Sequence, residues 1–447
     1  MAVIAILIIG EEIVSLSAFE KIILRAMKYS KFNVTSFLRM PKNTFFCLLL
    51  IVSCKNNGQK IQSAVILPES HNPKKEIEVT KGIVLAANRT GEFLPILEGK
   101  RVGVVTNQTG IVKRKNTDYI HLIDTLQLHN VNVTKVFAPE HGFRGEADAG
   151  EVIKDGKDIR SGLPIVSLYG KNKKPSPEQL SDVDIVLFDL QDVGVRFYTY
   201  ISTLHYVMEA CAELGLPLLL LDRPNPNGHY IDGAVLEAGF ESFVGMHPVP
   251  VVYGMTIGEY AMMINGEKWL AQSLQADLTV IPLENYTHQT PYSLPVRPSP
   301  NLPNDVAVNL YPSLCFFEGA NMSMGRGTDL QFQIYGSPYM ENNGFSFVPE
   351  PNFGDKNPKF KGQLCYGENL TAVPRLSEIN LSWLIQAYEQ SKSVKTPFFN
   401  NFFDKLAGND QLRQQIIRQE TQENIRASWQ PELEKFKRIR DNYLIYK

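Results

Sequence analysis

Four polar clusters each follow directly on a short apolar run: Asn107-Gln108-Thr109-Gly110, Pro139-Glu140-His141-Gly142-Phe143-Arg144-Gly145, Asp189-Leu190-Gln191-Asp192-Val193-Gly194-Val195-Arg196 and Asp222-Arg223-Pro224-Asn225-Pro226-Asn227-Gly228. They carry the carboxylates Glu140, Asp189, Asp192 and Asp222 and the guanidinium groups of Arg144, Arg196 and Arg223. Paired carboxyl groups in a cleft are the apparatus of glycoside hydrolysis, where one acid protonates the leaving oxygen. The same carboxylates suit Mg²⁺ and phosphoryl chemistry as well. Phe143, Phe197, Tyr198 and Tyr200 adjoin the acids, and Tyr311, Phe316, Phe317 and Tyr335 follow later. Such rings favour sugar, whose apolar faces stack on them, although some of the eight belong in a core. Arginines among them point to a substrate carrying an anion. Any one cluster also reads as helix caps and turns; four on one edge point to a site.

Other chemistries lack their signatures. No G-x-G-x-x-G or G-x-x-x-x-G-K-[ST] follows the apolar runs, and Gly325-Arg326-Gly327 lacks a third glycine, so no nucleotide cofactor is expected. H-E-x-x-H, C-x-x-C and G-x-S-x-G are absent, which argues against a zinc site and the common serine-hydrolase elbow. Lys+Arg is 45 against Asp+Glu 47, a net charge of −2, so nothing favours a nucleic-acid partner.

The positioning elements follow from hydrophobic period. Strands are predicted at Arg101–Thr106, Val133–Ala138, Pro164–Leu168, Asp184–Phe188 and Pro217–Leu221, with a further one at Leu278–Leu283. DIVLF and PLLLL are apolar throughout, as in strands buried on both faces of a parallel sheet. Thr117 is expected to cap a helix with Tyr119, Leu122, Ile123 and Leu126 on one face. A second helix is predicted over Thr199–Leu214, ending at Gly215, and Thr256-Ile257-Gly258-Glu259 is a capping box. Strand–helix alternation predicts an α/β, Rossmann-like, doubly wound and mainly parallel sheet, whose ligand site lies beyond the C-terminal strand ends. Six prolines between 291 and 312 predict an extended, non-helical crossing into a smaller C-terminal α+β domain. Helices are expected at Leu381–Glu389, Asp410–Trp429 and Pro431–Tyr446. The organisation read from this is a leader and signal peptide over 1–54, a linker over 55–80, a catalytic domain over 81–290 and a C-terminal domain over 291–447.

Of the 447 residues, 44 % are hydrophobic and 21 % charged, which fits an ordinary globular protein. Residues 40–54, MPKNTFFCLLLIVSC, combine Lys42, an apolar run too short to span a bilayer and small residues before Cys54. They match a bacterial lipobox, with Cys54 lipidated and the chain exported. The stretch before residue 40 is long for a signal peptide, and a start at Met27 or Met40 is expected.

The blocks around Glu140, Asp189–Tyr198 and Leu221–Pro226 stand in order with Met255-Thr256-Ile257-Gly258-Glu259, Arg297-Pro298-Ser299-Pro300-Asn301-Leu302-Pro303 and Tyr311–Gly319. This arrangement resembles the exo-β-N-acetylmuramidase (NamZ-like) family, long catalogued as a bacterial domain of unknown function, over roughly residues 81–447. The resemblance implies a cleft between two domains and removal of N-acetylmuramic acid from the non-reducing end of peptidoglycan fragments. It suits an exported lipoprotein whose partners are muramic acid glycans and, through its lipid only, a membrane. Glu140 is expected to be the general acid, tuned by His141, with Arg144 serving structure or substrate. Asp192 leads for the second catalytic group, ahead of Asp189, Asp222 and Glu318, with Tyr198 or Tyr335 as substitutes for a carboxylate. Arg196 and Arg326 are candidates for the lactyl carboxylate, Asn107, Asn225 and Ser323 for hydroxyl or acetamido groups, and Arg223 for the substrate. Metal-dependent phosphohydrolase and non-catalytic cell-wall glycan binder are the alternatives.

Overall fold

Ile185 and Leu187 enter one hydrophobic cluster while Val186 and Phe188 enter another, so alternate residues of one strand face opposite sides of a sheet that is covered on both. The computed structural model describes residues 82–114, 118–144 and 156–447, with a short antiparallel hairpin, Leu7–Ile9 and Glu12–Val14. Cys54 and the rest of the leader, the linker, Thr117 and Gly145 lie outside the described residues. Residues 78–447 form one unit, and all that follows concerns it.

Its main sheet comprises β1 (Arg101–Thr106), β2 (Asn132–Ala138), β3 (Gly156–Lys157), β4 (Pro164–Ser167), β5 (Ile185–Asp189), β6 (Leu218–Leu221) and β7 (Leu278–Ile281). The order is β7-β6-β5-β1-β2-β4-β3, parallel except for β3. The chain winds outward from β1 through β2 to β4, then returns to β5 and winds the other way, so the topology switches between β1 and β5. The expected doubly wound α/β fold is therefore present.

One face is covered by the helices Thr90–Leu97 and Leu122–Leu128 through Phe93, Leu97, Leu122, Ile123 and Leu126. The other is covered by α1 (Tyr200–Leu214) and α2 (Ile257–Gly266) through Leu204, Met208, Cys211, Tyr260 and Ile264. Each such buried side chain contributes about 1.5–3 kcal/mol. Gly215 ends α1 at φ 64°, a left-handed C-cap, and Thr256 opens α2 through the expected capping box.

Four expectations need correction. Tyr119–His121 is a short strand, and the helix begins at Leu122 with His121 as its cap, because Ile111–Lys113 pairs with that segment. The proline-rich crossing is extended only as far as Asn304, and α3 spans Asp305–Leu314 with Pro312 inside it. Proline has no N–H for the Val308 carbonyl, and Asn227 Nδ2 donates to that carbonyl instead at 3.1 Å. The helix expected over Asp410–Trp429 ends at Ile417, with Gln419 at φ 60°, and the next, Gln422–Arg440, runs through Pro431 rather than breaking there, because Ile425, Trp429, Leu433 and Phe436 bury one continuous face.

The smaller C-terminal part carries an antiparallel sheet, β8 (Ile334–Ser337), β9 (Ser346–Phe347) and β10 (Cys365–Asn369), in the order β8-β10-β9, with helices packed around it. Among the described residues no helix is long and apolar enough to cross a membrane.

Candidate active site

The crevice outside β1, β5 and β6 is filled rather than open. The extended segment after residue 290 lies across these strand ends, leaving a void of about 10 Å³ between Thr109, Gln191, Arg223 and the Tyr292–Val296 stretch. The Gln108 side chain donates to the Arg297 and Pro298 carbonyls, and the Tyr198 hydroxyl donates to the Pro298 carbonyl at 2.8 Å.

Polar strand-end groups under this cover satisfy one another, as burial demands. Arg223 grips Asp189 through Nε and Nη2, the latter at 2.8 Å, and donates to the Ile111 carbonyl. Asn107 Oδ1 accepts from the Thr109 backbone and hydroxyl, and its Nδ2 meets the Tyr200 hydroxyl at 2.6 Å. Asp222 accepts from Thr256 Oγ1 at 2.7 Å, the Gly258 N–H at 2.8 Å and the Tyr446 hydroxyl at 2.6 Å, which fastens the start of α2. Asp192 accepts from the Tyr253 hydroxyl and the Gly194 N–H, while its Oδ1 has no hydrogen-bond partner among the described residues. Burial pushes both Asp192 and Asp222 up to about 6. Asn225 donates to the Met255 carbonyl and accepts from the Asn227 N–H.

The open space lies to one side, beyond β2 and β4. A cavity of about 550 Å³, within the range that takes small ligands, is bounded by Glu140 and His141 after β2, Tyr169 after β4 and Phe197–Tyr200 before α1. Ser299–Leu302 without Pro300, Tyr311, Glu318, Arg326, Phe332, Asp355, Asn357 and Phe402 close it from the later part of the chain, with Phe243 and Val244 completing the wall. Glu140 is half-buried and accepts from Thr199 Oγ1 at 2.7 Å. Tyr169 stands against the same carboxylate; burial, and then that negative charge, hold its hydroxyl well above the usual range. His141 adopts φ 70° in the turn closed by the Gly142 N–H on the Pro139 carbonyl, which brings Glu140 off the strand end at an angle. Across the later segment Glu318 pairs with Arg326 Nη2 at 2.6 Å, and the guanidinium lies 5.2 Å from the Phe332 ring centroid.

Of the residues singled out from the sequence, the structure brings Glu140, His141, Tyr198, Glu318 and Arg326 to this cavity, together with the rings of Phe197, Tyr200 and Tyr311. Asp189, Asp192, Asp222, Arg223, Asn107 and Asn225 sit in the sealed layer just described. The expected lactyl ligand Arg196 is fully buried: it donates to the Ala234, Val249, Leu406 and Ala407 carbonyls at 2.7–2.9 Å, a strut between distant segments. Arg144 pairs with Asp158 at 2.7 Å and covers Phe143. Ser323 accepts from the Gly325 N–H in a buried turn, and the Tyr335 ring stacks on Phe317, centroids 5.0 Å apart.

Sequence reasoning missed Tyr169, Thr199, Asn301, Asp355 and Asn357. The end of β4 carries no charged group and so drew no notice, and Thr199 was read only as the start of a helix. Asp355 and Asn357 fall in a stretch without hydrophobic period. Among the described residues no group of three or more His, Cys, Asp or Glu side chains is arranged to hold a metal ion.

The arrangement can therefore protonate or deprotonate a bound group through Glu140, present a second carboxylate through Glu318, and stack a ring-shaped ligand. Comparison with known proteins agrees in both sequence and fold. The sequence profile of the N-terminal domain of exo-beta-N-acetylmuramidase NamZ matches residues 102–306, and that of its C-terminal domain matches residues 309–446. The chain is 38 % identical over 409 residues to the peptidoglycan beta-N-acetylmuramidase NamZ of Bacillus subtilis (strain 168), covering 86 % of this chain and 96 % of that one. Crystal structures of two DUF1343 family proteins from Bacteroides fragilis NCTC 9343 superpose with TM-scores of 0.75 and 0.70 at 44 % and 29 % identity, each covering 82 % of this chain and 99 % of its own. With both domain profiles matched in succession and the fold shared, the chain belongs to the exo-β-N-acetylmuramidase NamZ family.

Proposed function

We propose that this protein is an exo-acting glycoside hydrolase that releases N-acetylmuramic acid from the non-reducing end of peptidoglycan fragments, with Glu140 as general acid. The observation that carries the reading is one cavity in which Glu140 shares walls with Glu318, Arg326 and the rings of Tyr169, Tyr198 and Tyr311. The rings supply faces for a pyranose. Arg326 supplies positive charge for a substrate that bears a lactyl carboxylate, an attraction that guanidinium geometry makes directional. Glu140 gives its proton to the glycosidic oxygen as the bond to the anomeric carbon breaks, and the oxygen leaves with the bonding electron pair. No cofactor enters this scheme.

The lipobox-like run ending at Cys54 supports an exported lipoprotein, periplasmic or anchored to the outer membrane. Loss of lipid labelling in Cys54→Ala checks the anchor. The activity itself is tested by incubation with a muramic acid–glucosamine disaccharide and mass analysis of the products. Free N-acetylmuramic acid, released equally well in EDTA, supports the reading. Binding without release would make the protein a glycan-binding lipoprotein, and EDTA-sensitive phosphate release a phosphohydrolase.

A further inference from the structure

Glu140 needs a second group on the far side of the bond it cleaves, and the sealed strand-end layer removes the acids first expected there. Asp189 is bound to Arg223, Asp222 fastens α2, and buried Asp192, held by Tyr253 and the Gly194 N–H, does not line the cavity. Among the described residues, two carboxylates besides Glu140 remain on the cavity wall, Glu318 and Asp355. Asp355 is half-buried in a turn in which its Oδ1 accepts from the Asn357 N–H.

Glu318 is built differently. It sits in the short helix Cys315–Gly319 that continues α3, and its side chain is a quarter exposed, toward the cavity. Arg326, over the Phe332 ring, pairs with it from one side. The Lys359 ammonium donates to the Phe317, Glu318 and Ala320 carbonyls, the last at 2.6 Å, and so fixes the backbone on both sides of the carboxylate. Glu140, Tyr169 and Glu318 line the same cavity.

We infer that Glu318 is the second catalytic carboxylate, acting on the face of the sugar opposite the leaving group. The inference rests on the glycosidase reading above. For direct hydrolysis the step balances as follows. Glu318 takes a proton from water while the water oxygen bonds to the anomeric carbon. The bond from that carbon to the leaving oxygen breaks, and this oxygen keeps the electron pair and receives the Glu140 proton. Glu318 thus ends protonated and Glu140 ionised, and exchange with solvent resets both.

The test is Glu318→Ala assayed on an aryl β-N-acetylmuramide with and without sodium azide. Turnover is expected to fall at least about a hundredfold. Azide fits the space left by the carboxylate, attacks the anomeric carbon from the same side and needs no proton removed, so it is expected to restore turnover and give the α-glycosyl azide. Turnover within tenfold of wild type, or no α-azide from a folded variant, would overturn the assignment. Glu318→Gln retains an oxygen acceptor for Arg326; a wild-type melting temperature with the same loss of rate supports the proposal even if the alanine variant does not fold, and wild-type turnover in Glu318→Gln overturns it. Wild-type protein in the same assay separates this inference from the muramidase reading: if wild type releases no N-acetylmuramic acid, it is that reading which fails.

Discussion

The Thr199 hydroxyl donates to the Glu140 carboxylate at 2.7 Å, tying the residue that opens α1 to the acid that follows β2. Three strands lie between them in sequence, and the pair is joined because the doubly wound order sets β2 and β5 on either side of β1. Thr199→Val keeps the shape and removes the donor. A single hydrogen bond contributes about 0.5–1.5 kcal/mol, and about 1.4 kcal/mol is a factor of ten in rate. Turnover is expected to drop by up to about tenfold, with at most a small fall in melting temperature. A variant as fast as wild type would show that Glu140 is oriented without Thr199.

Asp192 gives a contrasting expectation. Its carboxyl is held up at about 6 by burial, against about 3.9 in the unfolded chain, so between those values the folded state binds the extra proton. Its contribution therefore falls as pH rises through this window, and Asp222, raised for the same reason, acts alike. Buried His121, His205 and His247, all lowered by burial, act in the opposite sense, so the diagnostic is a difference between variants. Asp192→Asn is expected to gain stability relative to wild type between about pH 4 and about pH 6 in urea unfolding, and to keep turnover within about tenfold. A catalytic Asp192 would instead give a folded, inactive variant.

Arg196 carries structure rather than substrate. Its guanidinium satisfies carbonyls from the 234–249 and 406–407 segments, and Gly408 at φ 83° lets it pass where an added Cβ would stand 2.6 Å from Nη2. Arg196→Met leaves these carbonyls without donors and is expected to cost about 3 kcal/mol or more in thermal or urea unfolding. At a temperature where the variant stays folded, KM is expected to be unchanged. A raised KM at unchanged stability would return Arg196 to the binding site.

The sheet was legible because its signal is local. Runs such as Ile185–Asp189 and Leu218–Leu221 are apolar on both faces, and the structure moves their expected ends by a residue. Helix caps at Thr256 and Gly215 were legible for the same reason. Which strand ends stay open was not, because it depends on a crossing segment more than 100 residues away from β1 lying over β1, β5 and β6. That cover turns Asp189 and Arg223 from candidate ligands into a buried pair. Pro312 and Pro431 misled in a related way: proline disfavours helix locally, but Asn227 supplies a donor for the carbonyl left by Pro312, and a continuous apolar face holds the helix through Pro431.

The most direct test of the account compares wild type with Glu140→Gln on the muramic acid–glucosamine disaccharide, following free N-acetylmuramic acid by mass and checking both proteins by thermal melting. Wild type should release the sugar, and the variant should melt as wild type does while losing about 10²–10⁴ in rate. A folded Glu140→Gln that releases N-acetylmuramic acid at the wild-type rate would contradict the account.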